Sequence, residues 1–352
     1  MSHCGRRALP FLAVALVALV VTVARAGAVL AVTQGSDTDL ESSRIVVIED
    51  DGSQPRVLGP GTRSAVSPDG SLVAVTGYHK QSGWSLALYR ASGELAFEWE
   101  PPNGELGLVR WSPDSTKLVV EEGDRLLLID VASGEPRTIA RAAGQITGKS
   151  FSPDSSELAY TDRVSDRRSG GLLQVVNLST GLTRTLRGSA EDPVWGPAGI
   201  AFATISRVRH EVYPSDNEVW NVARIDPDGS GYRQLTKIRL RDRFFGLRPT
   251  AWSRDGVRIA SGVVGADGEW LNTWVVDAVH GGAKLLAPHV EATTISSDGR
   301  YVVGQTGDIE CCGFKYTNIV RFPWSRREGK PRVLVHHAMF ASSSVDGFIP
   351  QP

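Results

Sequence analysis

The chain has 352 residues, 41% of them hydrophobic, with 37 glycines and 19 prolines. That apolar content can fill a full core. It excludes a disordered or collagen-like chain, in which glycine plus proline would reach about a quarter of the residues or more. The formal charge of −1 gives no global basic field for nucleic acid, and three cysteines cannot build a disulfide framework.

At the N-terminus Arg6 and Arg7 precede an uncharged apolar run from Ala8 to Ala24, and Ala24-Arg25-Ala26 has the small-x-small form of a signal-peptidase site. Residues 1–26 are therefore expected to be a secretory signal. If uncleaved, they form an N-terminal membrane anchor lengthened by the apolar stretch Ala26 to Val32. Any membrane contact is expected through this segment alone. Cys4 precedes the run, where a lipidated cysteine would not lie. Residues 27–43 read as a polar linker, and residues 44–352 as a body outside the cytoplasm: secreted, periplasmic or anchored.

Two repeats interleave along that body. The first is a turn: Ser67-Pro68-Asp69-Gly70, Ser112-Pro113-Asp114, Ser152-Pro153-Asp154, Ser253-Arg254-Asp255-Gly256 and Ser297-Asp298-Gly299, with weaker copies at Gly196-Pro197-Ala198-Gly199 and Ser344-Val345-Asp346-Gly347. Measured at the third position, successive copies are 45, 40, 44, 57, 43 and 48 residues apart. The residue types fit a hairpin: a serine hydroxyl to bond the backbone, proline for a fixed φ, aspartate, then glycine for the left-handed closing residue. An apolar residue (Val66, Trp111, Phe151, Trp195, Trp252) precedes most copies, and a short alternating strand follows. The second repeat is another hairpin, turning at Gly52, Gly93, Gly134, Gly181, Gly229, Gly282 and Gly329 between apolar runs such as LLLIDVASGEPRTI.

Two hairpins make a four-stranded unit, the blade of a β-propeller. The expected fold is all-β: a seven-bladed β-propeller closed by N- and C-terminal strands, with a six-bladed ring as the alternative because the last repeat is the weakest. The opening hairpin (45–58) and the closing one (around 338–349) would each lend half of a shared blade, leaving no open sheet edge. The serine-proline-aspartate turns with an upstream aromatic, and the string IDPDGSGYRQLT at 225–236, resemble the WD40-like (PD40) repeats of the TolB-like β-propeller family over about residues 44–349. The resemblance implies the fold; the family's fold hosts protein-binding scaffolds, peptidase lids and lyases alike, so it assigns no activity.

Strand order places both turn types on one rim and the remaining links on the other. The departures from period (162–171, 205–218, 236–250 and 305–316) all fall in those links, where a repeat scaffold carries its binding surface. They are basic. Arg163, Arg167, Arg168, Arg207, Arg209, Lys237, Arg239, Arg241, Arg243 and Arg248 oppose Asp162, Asp166, Glu211, Asp216, Glu218 and Asp242, a local balance of +4, with Phe244 and Phe245 among them. Arginine forks suit carboxylate or phosphate and phenylalanine supplies buried area. The candidate binding residues are accordingly Arg207, Arg209, His210, Lys237, Arg239, Arg241, Arg243, Phe244, Phe245 and Arg248, for a protein or acidic ligand of the cell envelope and not nucleic acid.

His79, His210, His289, His336 and His337 fall in or beside the same links, but no metal-ligand spacing joins them. No Gly-x-Ser-x-Gly elbow, phosphate loop or dinucleotide fingerprint is present. Asp226-Pro227-Asp228-Gly229-Ser230 reads as a turn, not a calcium loop, and Cys311-Cys312 as two thiols in a link. No cofactor, metal ligand or catalytic residue is assigned. The leading expectation is an exported non-catalytic scaffold; the alternative is a metal-dependent propeller lyase acting on an acidic sugar at the propeller mouth.

Overall fold

The computed structural model describes residues 29–36, 39–49, 51–79, 83–102, 104–164, 170–207, 218–238, 244–265, 272–296, 299–310, 313–325, 327, 329–336 and 339–343. Every regular element among them is a β-strand, so none is a helix long and apolar enough to cross a membrane. The interleaved hairpins form as the turn residues require. Ser67 Oγ lies 2.6 Å from Asp69 Oδ1 and accepts the Leu72 N–H at 2.9 Å, while the Gly70 N–H closes on Ser67 O at 2.8 Å. The same bonds recur at Ser112, Ser152 and Ser253. At Asp154 the Ser152 hydroxyl, above all, holds the carboxyl below the usual carboxylate range.

Gly70 and Gly256 close their turns with φ of 72° and 69°. Where the sequence puts serine in that slot, Ser115 and Ser155 still take φ of 60°. Each of these hydroxyls then accepts the N–H of the aspartate in the preceding turn, Asp69 at 3.0 Å and Asp114 at 3.2 Å. The aromatics upstream of the turns also tie neighbours together: Trp111 Nε1 donates to Ala65 O at 2.8 Å and Trp252 Nε1 to Val194 O at 2.9 Å.

Among the described residues four sheets have four strands each, and one has eleven. In the first two complete hairpin pairs the order follows the chain from inner to outer edge: Arg63–Val66, Leu72–His79, Gly83–Arg90, Leu95–Trp99, and then Arg110–Trp111, Lys117–Glu122, Arg125–Asp130, Pro136–Arg141. The eleven-stranded sheet arises because Thr183–Gly196, at 14 residues, is long enough to serve as the outer strand of one hairpin pair and the inner strand of the next. A single parallel bridge, Trp220↔Gly246, joins its two halves. The strands leading into the serine turns touch one another in succession, from Arg63–Val66 through Arg110–Trp111, Gln145–Phe151, Thr183–Gly196, Phe244–Trp252 and Val290–Ile295 to Met339–Ser343, which touches Arg63–Val66 again. Apolar clusters fill the space between successive sheets; Leu106, Leu118 and Ile129 are fully buried in one of them.

The N-terminal stretch differs from the expectation. Part of the segment read as a linker is sheet: Val29–Ser36 pairs with Asp39–Glu49, which pairs with Arg56–Pro60. Met339–Ser343 adds to the free side of Val29–Ser36 in the register Leu30↔Ser343, Ala31↔Ser342 and Val32↔Ala341. Among the described residues the shared sheet thus takes three strands from one end of the chain and one from the other, where two from each were expected. The reason is apolar: Leu30, Ala31 and Val32, read above as an extension of the leader, are fully buried against the core. Residues 1–28, 344–352 and the Cys311-Cys312 pair lie outside the described residues.

Candidate ligand-binding site

The inner strands carry charge where a core strand would be apolar. Arg63, Arg110, Lys149, Glu191, Asp192 and Arg248 stand two to five residues before a turn. Five inner strands also slip register in this stretch: between Ile146 and Lys149, Glu191 and Val194, Pro249 and Ala251, Ala292 and Thr294, and Met339 and Ala341. A bulge re-aims the side chains around it, and bulges concentrate beside functional sites. At two of these places the backbone needs special room. A Cβ on Gly148 would meet Asp192 Cα at 2.9 Å, and one on Gly246, whose φ is +136°, would meet Trp220 O at 1.9 Å. Glycine there lets neighbouring inner strands close together.

The charges pair from strand to strand. Lys149 Nζ lies 2.5 Å from Glu121 Oε1, with the lysine 2% exposed and the glutamate 15%. Arg163 Nε lies 2.8 Å from Glu191 Oε1, and Glu191 also accepts the Thr147 hydroxyl. Arg248 Nη1 lies 3.1 Å from Asp192 Oδ2 and its guanidinium covers the Trp220 ring at 4.2 Å. Arg63 donates to Leu106 O at 3.4 Å. Arg110, half-buried, has no ion pair among the described residues, although its charge acts on both Lys149 and Asp192. Asp162 serves the scaffold: its carboxylate accepts the Ala143 and Gly144 N–H groups at 2.9 and 3.0 Å, pinning the link into the strand that bears Lys149.

Five cations (Arg63, Arg110, Lys149, Arg163 and Arg248) therefore face three carboxylates (Glu121, Glu191 and Asp192). Burial dominates the electrostatics. It pushes the Lys149 ammonium down to about 8 against the pull of Glu121, with Arg110 and Arg63 adding to the depression. Burial likewise pushes the Asp192 carboxyl up to about 6, opposed by Arg248 and reinforced by Glu191. A cluster with excess positive charge in a desolvated setting attracts an anionic group more strongly than the same residues would in water.

Of the residues expected from sequence, Arg248 belongs to this cluster. Lys237 is exposed and outside it. Arg207 ends the strand Gly199–Arg207, paired with Glu218 in register, and Phe244 and Phe245 open the strand Phe244–Trp252. Arg209, His210, Arg239, Arg241, Arg243, Arg167 and Arg168 lie outside the described residues. Of the histidines, His289 is exposed at φ 57°, and His336 Nδ1 is 3.0 Å from Asn318 Oδ1. Among the described residues no three His, Cys, Asp or Glu side chains group as metal ligands. The Asp226–Ser230 string is a turn, with Gly229 N–H on Asp226 O at 2.9 Å.

Solved structures share this architecture. A TolB from Acinetobacter baumannii matches 90% of this chain and 66% of its own at 15% identity, with a TM-score of 0.55. An oligogalacturonate lyase from Vibrio parahaemolyticus matches 88% of this chain and 86% of its own at 13% identity, with a TM-score of 0.60. A puromycin-hydrolysing peptidase of Mycobacterium tuberculosis matches 90% and 54% at 19% identity, with a TM-score of 0.55. The chain thus spans about two thirds of that TolB and little over half of that peptidase. No family model and no curated protein matches the sequence. Identities at this level carry the fold and no activity: the chain is an all-β protein with the TolB-like propeller architecture.

Proposed function

We propose that the protein is an exported, non-catalytic, seven-bladed β-propeller that captures an acidic ligand, or an acidic segment of a cell-envelope protein, at the mouth of its central channel. The blade number is supported by the recurrence of the hairpin pair inside the eleven-stranded sheet, which reads as three blades fused edge to edge beside the four separate sheets. Closure is supported by the pairing of Met339–Ser343 with Val29–Ser36. Export rests on Arg6-Arg7, the apolar run to Ala24 and the Ala24-Arg25-Ala26 site.

The single observation that carries the binding role is the cluster of five cations and three carboxylates on and beside the inner strands, in which Arg110 makes no ion pair among the described residues; the further inner-strand carboxylate, Glu291, accepts the Gln305 amide at 2.8 Å. A buried or half-buried arginine without a partner is costly, and an incoming carboxylate would supply one. The basic links foreseen from sequence would extend the same field outward.

A synthetic deca-glutamate peptide tests the reading at low ionic strength. Wild-type protein is expected to bind it saturably, with affinity falling as salt rises. Arg63→Glu and Arg110→Glu, both at half-buried sites, should each weaken binding about tenfold or more while leaving the thermal transition in place. Unchanged affinity in both variants would overturn the assignment of the mouth.

A further inference from the structure

A second site lies at the outer edge, where a repeated clamp fails. In most outer strands an arginine opens the apolar stretch: Arg56 before Val57-Leu58, Arg137 before Thr138-Ile139, Arg184 before Thr185-Leu186 and Arg233 before Gln234-Leu235. Each reaches across to a backbone carbonyl in the glycine turn of the next unit. Arg56 donates to Ala91 O, Arg137 to Leu178 O at 2.5 Å, Arg184 to Pro227 O at 3.0 Å, and Arg233 to both Val279 O and His280 O, the latter at 2.8 Å. In the strand Ala283–Pro288 the same slot, before Leu285-Leu286, holds Lys284. Lys284 is exposed and makes no hydrogen bond or ion pair among the described residues. A lysine offers one ammonium in place of a two-pronged fork.

The space left open is large. Between Ala283–Pro288 and the turn after Gly313–Pro323 lies a cleft of about 1020 Å³. The equivalent space beside the Arg56 clamp measures about 260 Å³. The unclamped cleft is at the upper end of the ~300–1,000 Å³ range of small-molecule sites. Its walls include Val257, Val279 and Leu285, which are 39%, 47% and 37% exposed, together with the buried Trp324. Among the described residues Lys284, Arg258 and Arg327 line it; Asp277 is paired with His280 at 3.2 Å and Arg258 Nη2 lies 3.5 Å from Asp255 Oδ2, which leaves Lys284 and Arg327 without an ion pair. Arg258 lies over the Trp324 ring at 5.6 Å and its Nε–H is buried with no hydrogen-bond acceptor.

We infer that this cleft binds an amphipathic organic anion, a molecule with an apolar body and one carboxylate or similar head. The apolar walls account for the body, and the two cations without an ion pair among the described residues, Lys284 and Arg327, account for the head. The inference does not rest on the channel mouth, because the cleft shares no residue with it.

Dodecanoate, titrated calorimetrically below its micelle concentration, is the probe. The full chain is expected to bind it saturably at one site, and dodecyltrimethylammonium, with the same tail and opposite charge, about tenfold more weakly or worse. Leu285→Glu and Lys284→Glu, both at exposed positions, should each cost about tenfold in dodecanoate affinity with the thermal transition unchanged. Absence of saturable binding, equal binding of the cationic detergent, or undiminished affinity in the folded Leu285→Glu variant would overturn the inference.

Discussion

Asp192 shows how the site is set at the level of a single residue. It adopts φ of 48°, precedes Pro193 and sits in the bulge between Glu191 and Val194, so its carboxylate is re-aimed at Arg248 on the neighbouring strand. Burial holds its proton until about pH 6, above the ordinary carboxylate value of 3.8. The folded state therefore binds more protons than the unfolded chain between about pH 4 and 6, and stability is lost as pH rises through that window. Asp192→Asn removes the titration. Its melting temperature relative to wild type is expected to rise between about pH 4 and 6 and to level off above 6. A constant difference across that range would contradict the burial argument. The carboxylate was invisible as a site residue in the sequence because Glu191-Asp192 stands in a stretch that reads simply as a polar link before Trp195. The signal was nevertheless present, in the charges that fall two to five residues ahead of a turn on several inner strands.

At the scale of elements, the turn chemistry was legible because it is local. A serine hydroxyl, an aspartate and a left-handed residue specify the same hairpin wherever they occur, and Ser67, Ser112, Ser152 and Ser253 make the same bonds. Bulges and cross-strand pairs depend on which strand becomes the neighbour, so Lys149 with Glu121 could not be foreseen from spacing. The outer-edge clamp lies between these cases: the arginine-x-apolar slot repeats in sequence, but its carbonyl partner belongs to the next unit. Arg137 illustrates its energetic role, since its guanidinium satisfies Leu178 O across 41 residues of chain. Arg137→Lys keeps the charge and removes the fork. It should destabilise the fold by about 1 kcal/mol, read as a lower urea midpoint at unchanged slope. An unaltered midpoint would mean that the clamp contributes nothing beyond packing.

For the whole molecule, what decides the arrangement is how the two ends of the chain meet. Composition made Val29–Val32 look like the tail of a leader, because a short apolar run has the same appearance in a signal, an anchor or a buried strand. Only the tertiary neighbours distinguish them: Leu30 and Val32 pack with Val46, Ile48 and Val303, while Ala31 packs with Ile45 and Val73. The register then places strand Met339–Ser343 beside them, with Ser343 opposite Leu30. Each inner strand is braced by the strands on either side of it, which in the proposed ring would hold the charged mouth rigid.

Disulfide trapping of that seam tests the account most directly. In a background with Cys4, Cys311 and Cys312 replaced by serine, Ala31→Cys and Ser342→Cys occupy directly opposed positions of an antiparallel pair. Such positions lie about 4.5–5.5 Å apart at Cα, within disulfide reach. Mild oxidation is expected to give a monomer in which mass spectrometry finds the two peptides linked within one chain. Free thiols, or links found only between chains, would place the two ends apart and contradict the closed ring.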